Sequence, residues 1–243
     1  MEFEDQAFVL SARAHGEAGA IIEALTASRG KWAAHVAGGA SRRNQPFLQT
    51  GGRVTFAYRA RVADQLGSAR IEPLGEGPSA LFDDSAALAG LASAAALVAA
   101  ALPEREAHPG VFLAFESLLV ALADEAIWPA VLVRFEAGLL ADLGFGLDLS
   151  CCAVTGGVDD LVWVSPRTGR AVCATAGEPY RDRLLALPPF LLSAQGGLRP
   201  GDIAAGLRLT GHFLETCVFG LLNRPLPPAR ERLIDRLKDQ ERL

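Results

Sequence analysis

The chain has 243 residues, half of them apolar, and a formal net charge of −5. That is room for one large domain or two ordinary ones around a sizeable core. The acidic balance excludes a protein held to nucleic acid by charge spread evenly over its surface. Four cysteines, Cys151, Cys152, Cys173 and Cys217, do not space out as a disulfide framework. Glu2, Glu4 and Asp5 occupy the place of the basic start of a secretory leader. The most apolar run, 86–102, is mostly alanine and short for a membrane span. These features predict a soluble cytoplasmic protein with reduced thiols and no membrane partner.

The first third reads as short strands. Residues 7–13 are apolar and extended in character, and residues 20–26 suit a second strand or a helical turn. Residues 31–37 alternate weakly. Residues 53–62 alternate clearly, with Val54, Phe56, Tyr58, Ala60 and Val62 on one face and Thr55, Arg59 and Arg61 on the other. Residues 69–74 supply a last strand, and glycines punctuate the series. About five short strands in this span fit a small barrel, of which the oligonucleotide-binding (OB) fold is one kind.

The composition changes near Pro73–Pro78. Asp83 and Asp84 are placed to cap a helix running to Leu102, and Pro103–Gly110 breaks it. A second helix covers 111–123 with Phe112, Phe115, Leu118, Leu119 and Leu122 inward. A third begins near Glu125 or Pro129 and stops at Gly144. Residues 147–180 are short, glycine-interrupted and suited to strands. Helices over 200–222 and 227–238 close the chain.

Charge is polarised along this order. Residues 11–71 carry nine basic side chains against three acidic ones, an excess of +6, and the remainder carries −11. A basic module of this kind suits a groove that tracks a phosphate backbone, where cations displace condensed counterions. The candidates are Arg13, Arg29, Lys31, Arg42, Arg43, Arg53, Arg59 and Arg61, with Arg42 and Arg43 in a Gly/Ser/Asn loop. Phe56 and Tyr58 share the apolar face of their strand and belong to the core. Trp32, beside Lys31, is the candidate on which a base would stack.

Catalytic patterns are missing. The chain has no phosphate-binding G-x-x-x-x-G-K-[ST] loop, no H-E-x-x-H and no G-x-S-x-G. Asp159 and Asp160 read as a turn, and Cys151, Cys152 and Cys173 have no histidine near in sequence to activate them.

Three segments in order resemble the RecO family: AFVLSARAHGEAGAIIEALTASRGKWAAHVAGGASRRNQPFLQTG, RFEAGLLADLGFGLDLSCCAVTG and WVSPRTGRAVC. No one of them is specific alone; their order and separation are. The resemblance implies an α+β protein with an N-terminal OB-fold β-barrel over 1–77. A mainly α-helical domain over 78–243 follows, carrying a degenerate zinc-finger-like insertion at 147–180. It implies a non-enzymatic recombination mediator, cytoplasmic and nucleoid-associated. Such a protein binds single-stranded DNA, anneals complementary strands and, with RecR, helps load RecA onto DNA coated by single-strand-binding protein. Family members also hold the acidic, Phe-ended tail of single-strand-binding protein on their helical domain. Arg134, Phe135 and Leu139 match that position, with the arginine facing the terminal carboxylate. Many members carry zinc on two C-x-x-C pairs. Here Thr155 and Ala176 stand where the second cysteine of each pair would be, so no metal and no other cofactor is expected. Two alternatives stay open: a single-strand or RNA-binding module on a helical scaffold without a recombination role, and an enzyme whose site the sequence hides.

Overall fold

The computed structural model describes residues 1–39, 41, 44–62, 65–75, 84–193, 197–240 and 242. It divides into two compact units, Met1–Ala123 with Pro227–Leu233, and Asp124–Leu226 with Ile234–Leu243.

The first unit begins with five strands, β1 (Glu2–His15), β2 (Gly19–Thr26), β3 (Gly30–Val36), β4 (Arg53–Arg59) and β5 (Gly67–Pro73), closed in the order β1-β2-β3-β5-β4. β1 pairs with β4 over Glu2–Phe8 and with β2 from Ala7 onward, and a register irregularity between Val9 and Ser11 lies within the β1–β2 ladder. Residues alternate across each strand, so Val54, Phe56 and Tyr58 of β4 point inward with Trp32, Ala34 and Val36 of β3. Phe3, Trp32 and Tyr58 pack ring to ring, with centroids 4.8–5.2 Å apart. This is the expected OB-type barrel. The expected β4 is too long, because the chain leaves the sheet after Arg59 and Val62 lies exposed.

Two helices join this unit, α1 (Ser85–Ala101) and α2 (Pro109–Ala121). Asp84 caps α1, its carboxylate accepting from the N–H groups of Ala86 and Ala87; Asp83, the other expected cap, lies outside the described residues. Phe8 faces away from the barrel interior onto Phe112 and Phe115, at centroid distances of 4.9 and 5.5 Å. These ring contacts lie within the first compact unit.

In the second unit α3 (Trp128–Asp142) packs on α6 (Asp202–Phe213). Gly206 permits the approach, since a Cβ there would lie 2.8 Å from Val133. Thr210 donates its hydroxyl to the buried Glu136 carboxylate. Between these helices in sequence lie β6 (Leu161–Val164), β7 (Ala171–Cys173), the one-turn α4 (Ala174–Gly177), β8 (Leu185–Ala186) and the one-turn α5 (Pro189–Leu192). The three strands form a sheet in the order β7-β6-β8. A π-helical stretch, Leu214–Phe219, continues α6, and α7 (Pro228–Asp239) follows. No helix among the described residues is long and apolar enough to cross a membrane.

Candidate nucleic-acid interface

Strand register assembles a row of side chains that no stretch of sequence contains. Arg13 pairs with Ile21, Ile21 with His35, His35 with Ser68, Ser68 with Arg59, and Arg59 with Glu2. Neighbouring strands lie about 4.8 Å apart, so the row is one circuit of the barrel wall. Arg13, Ser68 and Arg59 are exposed and His35 is half-buried. His15 stands beside it, its ring 5.6 Å from that of His35. Arg70, opposite Ala57, is the diagonal neighbour of Arg59. The row runs between the β1–β2 turn and the connection that begins with exposed Arg61. OB folds receive oligonucleotides between these two loops.

The wall is not uniformly basic. Glu2 flanks Arg59, Glu4 pairs with Ala57 in the row of Arg70, and Glu23 accepts from Ser11 at 2.7 Å. Over residues 1–75 nine cations face seven carboxylates. The excess of +6 seen over 11–71 falls to +2 once Glu72 and the three carboxylates that β1 brings against β4, Glu2, Glu4 and Asp5, are included.

The other sequence candidates divide by surroundings. Arg29 is exposed, with its guanidinium 4.8 Å over the Phe3 ring. Lys31 is buried, and its ammonium donates to the Ala99 carbonyl in the last turn of α1, where a cation suits the helix dipole. Arg53 is tied to Glu116 at 2.7 Å and to Gln6 at 2.8 Å. Trp32 is 5 % exposed; its Nε1 donates to the Arg29 carbonyl, and the Arg105 guanidinium lies 5.1 Å over its ring. It fills the core and presents no open face to a base. Arg42 and Arg43 lie outside the described residues. His35 comes into the row with Arg59 only through the β3–β5 and β4–β5 pairings, and Arg70 reaches Arg59 through β4–β5, so no single segment of sequence marks either as a neighbour of Arg59.

On α3 the Arg134 guanidinium donates through Nε and Nη2 to the Phe190 carbonyl and through Nη2 to that of Ser193. It thereby ties down the end of α5. Nη1 has no partner among the described residues, so one edge of the fork remains for an anion. Phe135 and Leu139 are buried, at 3 % and 1 %, and serve packing.

In the segment expected to be zinc-finger-like, the two cysteines Cys152 and Cys173 lie near each other. A tight turn links Cys152 and Gly157, the Cys152 sulfur accepts from the Cys173 N–H at 3.3 Å, and the Thr155 hydroxyl lies 3.9 Å from the Cys173 sulfur. The Thr155 hydroxyl, aided by the Cys173 N–H, lowers the Cys152 thiol from 9.0 to about 6. Asp148 is held below the usual carboxylate range, first by Ser150 and then by Arg170. Two thiols, a hydroxyl and the methyl of Ala176 do not supply the four donors of a structural zinc site. No cluster of three potential ligands occurs among the described residues.

A closed five-stranded OB-type barrel leading into a helical body defines the class of this chain. Two family models divide it: Recombination protein O N terminal matches residues 1–74, and Recombination protein O C terminal matches residues 83–223. A DNA repair protein RecO of Phenylobacterium zucineum (strain HLK1) is 74% identical over 243 residues, covering 100% of both chains. One of Caulobacter sp. (strain K31) is 68% identical with the same coverage. One of Rhodospirillum centenum (strain ATCC 51521 / SW) is 49% identical over 98% of this chain and 95% of its own. The chain belongs to the RecO family of DNA repair proteins.

Proposed function

We propose that this protein is a non-catalytic recombination mediator whose barrel binds single-stranded DNA along the Arg13–His35–Arg59 row. In this reading it anneals complementary strands and, with RecR, helps load RecA onto DNA coated by single-strand-binding protein, in the cytoplasm and on the nucleoid. The observation that carries it is the row itself. It sets three cation-bearing or protonatable side chains around one circuit of an OB-type barrel, at the loops where such barrels take oligonucleotides. Family membership supplies the repair context. Affinity is expected to fall steeply with salt, because the contacts are to phosphate. Fluorescence anisotropy with labelled single strands over a salt series tests the binding; a flat salt response would contradict it.

The same reading docks the tail of single-strand-binding protein on the second unit, with its terminal carboxylate on the Nη1 edge of Arg134. Support comes from the three N–H groups that already fix this guanidinium on α5, which leaves its remaining edge pre-oriented. Calorimetric titration with the tail peptide separates this mediator from a generic single-strand binder, which would ignore the peptide.

A further inference from the structure

Beside the row, the barrel wall opens. β3 and β5 pair in parallel only at Ala34–Gly67 and His35–Ser68. Beyond that point β3 ends at Val36 while β5 runs on to Pro73, bonded to β4 alone. The gap is a cavity of about 610 Å³, within the range of small-ligand sites. Phe47 and Ile71 line it and pack on the barrel core behind. Asn44 stands at one wall with its Nδ2 already donating to the Gly38 carbonyl, so its Oδ1 is left as an acceptor. Arg70 and Glu72 form the rim, paired to each other at 2.7 Å and both well exposed.

We infer that this seam holds one unstacked base of the bound strand, flat against Phe47, with the adjoining phosphate on Arg70. The inference rests on the single-strand reading above and adds to it a defined base subsite. Three features favour a nucleotide over an apolar peptide. The site joins an aromatic face to a polar wall and a cation. It begins at the residue after the His35–Ser68 pair, so a strand lying on the row reaches it without a break. Its rim charge is balanced by Glu72, and the guanidinium that Glu72 now holds is the group a phosphate would take over.

The test uses the full-length protein with two strands of equal length: an oligothymidylate carrying one 2-aminopurine, and a polymer of abasic sites. Wild type should quench the 2-aminopurine and prefer the base-bearing strand by roughly five- to a hundredfold, the worth of one stacked base. Phe47→Leu should remove the preference and leave the affinity for the abasic strand unchanged. Glu72→Gln, at an exposed position, should strengthen both strands by about two- to fivefold, since it frees Arg70. Equal binding of the two strands by wild type, or a preference that survives Phe47→Leu, overturns the subsite and leaves the row intact. If Phe47→Leu does not fold, the Glu72 variant decides, and no gain in affinity overturns the proposal. A wild type that binds neither strand overturns the single-strand reading and the subsite with it.

Discussion

The Arg53 guanidinium lies 2.7 Å from the Glu116 carboxylate of α2 and 5.7 Å over the ring of Phe8. A residue that sequence context offers to DNA thus fastens the barrel to its own helices. Arg53→Ala should cost about 0.5–1 kcal/mol of stability, the scale of a partly exposed pair, and should leave the salt dependence of DNA binding unchanged. Urea denaturation with anisotropy alongside checks both halves.

Trp32 gives the larger effect. Trp32→Ala removes a fully packed ring and should cost about 3–5 kcal/mol. Trp32→Phe, which keeps most of the packing, should retain wild-type DNA affinity. A loss of affinity in a stably folded Trp32→Phe would return this residue to the interface.

The Cys152 thiol predicts a pH dependence. Its value falls from 9.0 to about 6 on folding, with the Thr155 hydroxyl the leading cause. A group depressed in the folded state contributes its full stability above the unfolded value, and that contribution fades as pH drops. The contribution should therefore decline between about pH 9 and pH 6 and be absent below. Thr155→Val should flatten this part of the curve of melting temperature against pH. An identical slope in the variant would mean that the hydroxyl does not hold the thiolate.

The segment that carries Cys152 and Cys173 is expected to hold no zinc. Elemental analysis should find none, and chelators should leave the melting temperature unchanged. Thr155→Cys combined with Ala176→Cys should restore about one zinc per chain and make stability chelator-sensitive, because four thiolates complete the tetrahedron. Zinc bound to the wild-type protein would overturn this.

How far the sequence can be read follows from how local each feature is. The alternation of β4 sorts Val54, Phe56 and Tyr58 from Arg59 correctly, because one strand face meets the core and the other meets water. β1 is underestimated at its ends, and its period breaks at Phe8–Leu10, where both faces are buried. There Val9 enters the barrel while Phe8 packs on α2, a contact made across a hundred residues. Lys31 and Trp32 look like a cation beside a stacking ring, yet α1 takes one and the barrel core the other. The Arg13–His35–Arg59 row depends on registers among all five strands, including the parallel β3–β5 pair, and no single segment encodes it.

The most direct test of the central claim is annealing of complementary single strands coated with single-strand-binding protein, comparing wild type with the Arg13→Ala/Arg59→Ala double variant. Wild type should accelerate annealing. The double variant should lose most of that acceleration, and its slope of log affinity against log salt for free single strands should shrink by about 1.4 as two phosphate contacts disappear. Annealing by the double variant at the wild-type rate, with an unchanged salt slope, would contradict the assignment of this row as the DNA-binding surface.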